Sequence, residues 1–307
     1  MKKLRVGVVG VGHIGSNHAR IYSQLAAAAE LTAIYDVDLA RASSMAKKLG
    51  ATAAKSLAQF AELIDAASIA TPTNTHHEIA IQLLRCGKHL LVEKPITDKP
   101  QQATELAELA ARNRLVLQVG HVERFNPVLS ALESRLTHAR FIEAHRLSPY
   151  PNRSTDIGVV LDLMIHDLEI ILHLVRSPVQ NIDAVGVPVL SKGEDIANAR
   201  IRFENGCVAN ITSSRISPER MRKIRLFQED AYLSLDYEKQ AGEIYRLENG
   251  KITRDKVPIE REEPLKQQLV SFIECASTGR QPRVSGFQAT AALELAVEIT
   301  KRIASSG

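Results

Sequence analysis

A chain of 307 residues with 45% apolar and 24% charged residues has the composition of a globular protein and suffices for two domains, each with its own core. The net charge of +4 is too small to predict a nucleic-acid surface, although it is compatible with an anionic small molecule. Three cysteines without a C-x-x-C pair argue against a disulfide framework or a structural zinc site. With no run of membrane-spanning length and no signal-peptide pattern, the chain is expected to be cytoplasmic and to bind neither membrane nor nucleic acid.

The first 120 residues alternate between strand-like and helix-like segments. The apolar run 4–9, bounded by Gly10, predicts a buried parallel strand, and 31–35 predicts a second strand that ends at Asp36. Three capping boxes predict helix starts further along: Ser56 with Gln59, Thr75 with Glu78, and Asp98 with Gln101. Strands separated by helices of this length indicate an α/β Rossmann domain with a doubly wound parallel sheet over residues 1–122.

The pattern changes from about residue 123. A long apolar helix is predicted over 156–175, and Asn-Gly pairs at 205–206 and 249–250 predict hairpins in the strand-rich stretch that follows. Residues 123–307 should therefore form a substrate-binding α+β domain with an open, mainly antiparallel sheet, whose last helix is able to pack back on the first domain. Since one face of that sheet would stay exposed, we expect a homodimer or homotetramer built on it.

A glycine-rich loop follows the first strand directly. Gly10, Gly12 and Gly15 form a G-x-G-x-x-G whose glycines allow a tight turn, the approach of a pyrophosphate to the backbone, and close helix–strand packing. Asp36, at the end of the next strand, is placed to bind the ribose hydroxyls of NAD and to repel the 2′-phosphate of NADP. The sequence therefore favours NAD, although Arg41 one turn further on weakens that preference. The alternative is a glycine-rich turn without a ligand.

Glu93-Lys94-Pro95 lies at the carboxyl end of a predicted parallel strand. Ligands of open α/β sheets bind beyond that edge, where a lysine can hydrogen-bond a substrate hydroxyl or stabilise an alkoxide as hydride leaves. The alternative for Lys94 is an ordinary surface lysine before a loop proline.

Asp162 and His166 lie four residues apart in the apolar helical stretch, which places them on one helix face. His166 is a candidate general base for a hydroxyl proton, with Asp162 holding the substrate or orienting the imidazole. The alternative is a satisfied buried polar pair. Glu169 and His173 continue a spacing that resembles metal ligands, but no second cluster matches them, so we expect no metal.

Four motifs occur in an order and spacing that resemble one family: the glycine loop 10–15, Ala70-Thr71-Pro72-Thr73-Asn74, Glu93-Lys94-Pro95, and Gly158-x-x-x-Asp162-x-x-x-His166. They are similar to the glucose–fructose oxidoreductase / inositol dehydrogenase / rhizopine-catabolism family (Gfo/Idh/MocA). The resemblance implies a Rossmann domain followed by an open-faced sheet domain, assembly into dimers or tetramers, and catalysis by Lys94, Asp162 and His166 without a metal.

The resemblance and the predicted sheet edge together define an expected site. The expected cofactor contacts are Gly10, Gly12, His13, Ile14, Gly15, Asp36, Thr71, Pro72, Asn74, His76, Glu93 and Lys94. The expected substrate contacts are Lys94, Arg124, Asn126, Tyr150, Arg153, Asp162 and His166.

The stretches 120–127 and 143–146 further resemble a bacterial subgroup that includes UDP-N-acetylglucosamine 3-dehydrogenases. One departure is that Gly158 is followed by Val159-Val160-Leu161, where many relatives have further glycines. We expect an NAD-dependent dehydrogenase acting on a secondary hydroxyl of a sugar or nucleotide sugar, with C3 of UDP-N-acetylglucosamine as the leading candidate. The alternatives are a non-catalytic NAD-binding regulator, a dehydrogenase of a free polyol such as inositol, and a metal-dependent hydrolase or lyase.

Overall fold

The structure is a computed structural model that describes residues 3–150 and 157–305. The chain divides into two compact units, residues 1–122 with 263–290 and residues 123–262 with 291–307. The segment 263–290 differs from our expectation, which assigned everything after residue 122 to the second domain. Leu269 and Phe272 explain the difference, because they share a buried core cluster with Val6 and Ile34 of the first unit.

The first unit is built on a parallel sheet. Its described strands are β1 (Leu4–Val9), β2 (Ala29–Tyr35), β3 (Thr52–Ala53), β4 (Ala66–Ile69), β5 (His89–Glu93) and β6 (Leu117–Gly120). Its described helices before residue 122 are α1 (His13–Gln24), α2 (Leu39–Leu49), α3 (Leu57–Leu63), α4 (His76–Arg85) and α5 (Pro100–Arg112). Within the described residues the strand order is β3-β2-β1-β4-β5-β6, which confirms the predicted doubly wound Rossmann fold.

The sheet order places a crevice at the carboxyl ends of β1 and β4. The strand order reverses direction between these two neighbours, and ligands of doubly wound sheets bind at that point. All four residues of β4 are buried, as are the last four of β1, which explains their unbroken apolar sequences. The loops that follow β1, β4 and β5 therefore carry the first unit's candidate site residues.

Of the predicted capping boxes in this unit, only the first is confirmed. The Ser56 hydroxyl accepts a hydrogen bond from the Gln59 N–H at 3.2 Å. Thr75 instead ends a 3-10 turn and donates to the Pro72 carbonyl, so the predicted cap of α4 is wrong. The predicted Asp98 cap is also wrong, because α5 begins at Pro100, whose fixed φ and missing N–H suit a first helical position.

The second unit contains an open sheet. Its described strands are β7 (Phe141–Leu147), β8 (Val179–Val187), β9 (Ile196–Phe203), β10 (Val208–Ser214), β11 (Met221–Phe227), β12 (Tyr232–Asp236), β13 (Ala241–Glu248) and β14 (Lys251–Lys256). In the described part of the chain they lie in the order β14-β13-β12-β11-β7-β10-β9-β8, antiparallel except for β7 with β10. The predicted mainly antiparallel sheet is confirmed, and the predicted hairpins join β9 to β10 and β13 to β14.

The remaining helices are α6 (Pro127–Glu133), α7 (Ile165–Val175), α8 (Pro264–Thr278) and α9 (Gly286–Ser305). The predicted helix over 156–175 is corrected at its start: a π-helical turn, Val160–Met164, precedes α7. Such turns are rare and recur at functional sites. None of the helices in the described ranges is both long and apolar enough to cross a membrane.

Candidate active site

The glycine loop between β1 and α1 has the geometry of a dinucleotide cradle. Gly10 has a φ of +80°, and a Cβ on Gly15 would lie 1.8 Å from the Gly10 carbonyl oxygen. A Cβ on Gly12 would meet no atom within 4 Å, so open space lies in front of the α1 N-terminus. Since no side chain caps that terminus, its N–H groups, including those of His13 and Ile14, fit a pyrophosphate.

Asp36 is fixed at the end of β2. Its Oδ2 accepts the Val11 N–H at 2.8 Å and its Oδ1 accepts the Asp38 N–H at 2.9 Å, with 5% of the residue exposed. The Arg41 guanidinium lies 3.7 Å from Asp36 and 3.2 Å from Asp38. This arrangement suits a ribose hydroxyl, because two carboxylates restrain the nearest cation that could bind a 2′-phosphate.

Asp36→Ala is expected to shift the ratio of NADP to NAD affinity by at least about tenfold, which corresponds to about 1.4 kcal/mol. The substitution removes repulsion of the 2′-phosphate and releases Arg41 to pair with it. Titration of both dinucleotides against both proteins measures the ratio, and adding Arg41→Ala should reverse part of the shift. Tighter binding of NADP than of NAD by the unsubstituted protein would contradict the assignment of Asp36.

His76 links the loops that follow β4 and β5. Its Nδ1 lies 3.0 Å from the Pro95 carbonyl oxygen and its Nε2 lies 2.9 Å from that of Thr71. Burial lowers the pKa of His76, against the hydrogen bonds to these carbonyls, which raise it. We infer that His76 serves the cofactor site by fixing the two loops, whereas Pro72 and Asn74 beside it are exposed.

Glu93 and Lys94 lie at the carboxyl end of β5, as predicted. The Glu93 carboxylate points to the interior of the first unit, 3.3 Å from His18 Nε2 and 3.4 Å from Gln268 Nε2. It also occupies the space that a Cβ on Gly120 would need, 2.3 Å from Glu93 Oε1. Lys94 is half-buried beside it. Glu93 therefore supports the loop, and Lys94 is the residue of this motif placed to act on a ligand.

Asp162 and His166 belong to the second unit. Asp162 lies in the π-helical turn, where its N–H donates to the Gly158 carbonyl at 3.1 Å, and His166 lies in the first turn of α7. Both residues are half-buried, while Met164 and Ile165 between them are buried. The structure thus places both on the part of an otherwise apolar helix that is not fully enclosed within its unit.

A buried ionic network holds α7 against β7. Arg146 donates to both carboxylate oxygens of Asp167, at 2.7 and 3.0 Å, and to Glu123 at 3.0 Å. Burial disfavours the charge on Glu123, but Arg146 and then Arg222 lower the pKa of its carboxyl below the usual value. Since Asp167 adjoins His166, the network fixes the helix at the candidate base.

Arg146→Met is expected to destabilise the protein by about 3–5 kcal/mol, because it leaves two carboxylates buried without their cation. Arg225→Met is the matched control: it breaks a 2.7 Å pair with Glu143 between half-exposed side chains and should cost about 1 kcal/mol or less. Urea unfolding measures both free energies. Because the folded pKa of Glu123 is lowered, its contribution is present at neutral pH and lost as the pH falls through that pKa.

Two expected substrate ligands prove to be interior residues, which corrects their placement in loops around a cleft. Arg124 is 4% exposed and pairs with Glu169 at 2.7 Å. Asn126 caps α6 by accepting the Val128 N–H and donates to the Tyr237 carbonyl. Burial raises the pKa of Glu169 to about 7, against the attraction of Arg124. Among the other expected ligands, Tyr150 is 38% exposed, and Arg153 falls outside the described residues.

The helical spacing that resembled metal ligands resolves into separate pairs. Glu169 is bound to Arg124, and His173 lies 2.8 Å from Glu133. Over residues 3–150 and 157–305, no group of three or more His, Cys, Asp or Glu side chains could hold a metal ion.

Two family models cover most of the chain. Residues 4–121 match the model of an oxidoreductase family with an NAD-binding Rossmann fold, and residues 131–234 match a GFO/IDH/MocA C-terminal domain. The chain belongs to the Gfo/Idh/MocA family. The predicted resemblance is thereby confirmed, and this Gfo/Idh/MocA protein is an NAD-binding oxidoreductase, the class expected from its glycine loop.

Individual relatives span the whole chain. This Gfo/Idh/MocA protein is 34% identical over 306 residues to the UDP-N-acetylglucosamine 3-dehydrogenase of Acidithiobacillus ferrooxidans, with 97% of each chain covered. It is 25% identical over 327 residues to the scyllo-inositol 2-dehydrogenase (NAD(+)) of Bacillus subtilis, covering 97% of this chain and 93% of that one. A solved structure of the Acidithiobacillus ferrooxidans enzyme superposes with a TM-score of 0.94 at 33% identity over 99% of both chains.

Proposed function

We propose that this protein oxidises a secondary hydroxyl of a nucleotide sugar, with UDP-N-acetylglucosamine as substrate and C3 as the reacting carbon. The observation that carries the proposal is the 34% identity to a UDP-N-acetylglucosamine 3-dehydrogenase over 97% of both chains. The inositol dehydrogenase from Bacillus subtilis matches an equally long part of this chain at 25% identity, which favours the nucleotide sugar over a free polyol.

The proposed reaction divides between groups of both units. NAD, when bound, accepts the hydride that leaves the carbinol carbon. His166 accepts the hydroxyl proton as general base, and Asp162, four residues earlier, orients the imidazole or holds the sugar. The Lys94 ammonium hydrogen-bonds the same oxygen and stabilises the negative charge that develops on it. Support comes from the half-buried positions of these residues and from the position of Lys94 at the carboxyl edge of the parallel sheet.

The purified protein should reduce NAD in the presence of UDP-N-acetylglucosamine, and a 3-keto sugar should appear in equal amount. Absorbance of NADH and mass spectrometry of the product measure the two. Turnover of scyllo- or myo-inositol without turnover of UDP-sugars would replace the substrate by a polyol. Binding of NAD without turnover of any sugar or polyol would favour the non-catalytic alternative.

We also propose that a second copy of this chain covers the open face of the second unit's sheet, giving a homodimer or homotetramer. A row of half-exposed aromatic rings crosses that face: Phe141, Phe227, Tyr232 and Tyr245, with neighbouring ring centroids 4.7–5.5 Å apart. Rings of this size contribute strongly to protein interfaces.

The expected result in sedimentation at micromolar concentration is an oligomer, and Phe227→Lys should shift it towards the monomer. The substitution places a charge in the middle of the aromatic row, so burial against a second copy would leave that charge unpaired. A monomeric unsubstituted protein at that concentration would refute the proposed assembly.

A further inference from the structure

We propose that Glu194 is a positioning residue for the reaction, because it holds the first turn of the helix that carries Asp162 and His166. The inference rests on the proposed function for its catalytic consequence, whereas the contact itself lies entirely within the second unit. Glu194 precedes β9, far along the chain from the helix that it contacts, and sequence patterns alone gave it no role.

Glu194 binds the start of the helix through its backbone and its side chain. Its carbonyl oxygen accepts the Val159 N–H at 2.9 Å, and its Oε1 accepts the Val160 N–H at 3.2 Å. The first N–H groups of a helix lack partners within the helix, and a negative charge there is favourable. Glu194 therefore acts as an N-terminal cap that is supplied from another segment.

Gly158 is required by this contact. A Cβ at Gly158 would lie 2.0 Å from Glu194 Oε1 and 2.3 Å from its Oε2, so the carboxylate occupies the space of a missing side chain. The Gly158 carbonyl accepts the Asp162 N–H at 3.1 Å. One residue thus contacts the carboxylate on one side and hydrogen-bonds to Asp162 on the other.

Two buried charges hold the segment that carries Glu194. One carboxylate oxygen of Asp195 accepts backbone N–H groups from residues 189, 190 and 191, at 2.6–3.0 Å. Its other oxygen accepts Arg215 Nε at 2.8 Å, and Arg215 Nη1 donates to the Ile157 carbonyl at 2.7 Å. Asp195 and Arg215 are both fully buried. The backbone is therefore fixed at Glu194 and at Ile157, and the Glu194 side chain sets the turn that follows.

The catalytic consequence follows from geometry. Glu194 binds the backbone two residues before Asp162, and His166 lies one turn further along the same helix. A misplacement of reacting groups by about 1 Å can cost about a hundredfold in rate. We expect loss of the Glu194 side chain to lower kcat by about ten- to a hundredfold, with the NAD dissociation constant unchanged because the glycine loop belongs to the first unit.

The test is a double-mutant cycle of Glu194→Ala and Gly158→Ala. Gly158→Ala should reproduce the effect of Glu194→Ala, because the new Cβ displaces the flexible carboxylate from the Val160 N–H. Since the atoms nearest to that Cβ belong to the Glu194 carboxyl group, the double variant should be no slower than either single one. Glu194→Gln keeps an oxygen acceptor and should retain kcat within about fivefold, because only the charge at the helix start is lost. Glu204→Ala, at an exposed turn of the same unit, is the control.

Hydrogen–deuterium exchange supplies a readout that does not depend on the substrate. Glu194→Ala and Gly158→Ala should speed amide exchange in the peptide 159–166 and leave β10 and β11 protected as in the unsubstituted protein. Unchanged exchange in 159–166, faster exchange throughout the second unit, or additive effects in the cycle would each overturn the proposal. If the unsubstituted protein turns over no sugar or polyol, the proposed function fails while the exchange pattern still decides whether Glu194 holds the helix.

Discussion

His166→Ala and Lys94→Ala are each expected to lower kcat by about a hundred- to ten-thousand-fold, the range of a general acid–base residue. Loss of the imidazole removes the acceptor of the hydroxyl proton, and loss of the ammonium removes the donor to the developing alkoxide. The NAD dissociation constant should be nearly unchanged, because neither side chain is expected to touch the pyrophosphate. Stopped-flow reduction of NAD and equilibrium titration measure the two quantities separately.

The chain offers matched controls for both substitutions. His173→Ala removes a histidine from the same helix whose ring is bound to Glu133, and Lys99→Ala removes an exposed lysine from the loop after the same strand. Both should keep kcat near that of the unsubstituted protein. Full turnover by His166→Ala on the true substrate would reject the mechanism while leaving the fold assignment intact.

Gly12→Val is expected to weaken NAD binding by at least about a hundredfold, or about 3 kcal/mol, with little change in the free energy of unfolding. A Cβ at Gly12 meets no protein atom within 4 Å, so the added side chain fills only the space proposed for the pyrophosphate. Titration of NAD and urea unfolding of the same preparation measure both effects.

Gly15→Ala should show the opposite balance and serves as the comparison. Its Cβ would lie 1.8 Å from the Gly10 carbonyl oxygen, a backbone atom that can move only if the turn changes. We expect a measurable loss of unfolding free energy together with weaker binding. If Gly12→Val bound NAD as tightly as the unsubstituted protein, the open space before α1 would not be the cofactor site.

The sequence by itself determined the parts of this protein whose signals are local. The glycine loop and Asp36 were found because strand, turn and helix follow one another within 33 residues, and the structure ties Asp36 to Val11 as that reading requires. The hairpin at Asn249-Gly250 was found because the turn needs positive φ at both residues, and they have 52° and 74°. Periodicity was likewise sufficient to predict the class of each sheet.

Capping was predicted less well, because a local pattern competes with its surroundings. Ser56 caps as its sequence indicates, whereas the hydroxyl of Thr75 is taken by the Pro72 carbonyl and by Thr71. Asp98 loses its expected place to Pro100, which fixes the first turn of α5. The same short motif therefore gives different structures when neighbouring groups offer other hydrogen bonds.

Only the tertiary structure decided which partners the buried charges take. Arg146 left one sequence signal, a charged residue on the otherwise apolar face of β7, but its partners Asp167 and Glu123 lie 21 and 23 residues away. Glu194 binds Val160 across 34 residues and left no signal at all. Burying a charge is costly unless a partner is brought to it, and packing of distant segments decides which partner that is. Periodicity shows which face of an element is buried, but it does not show what lies opposite that face.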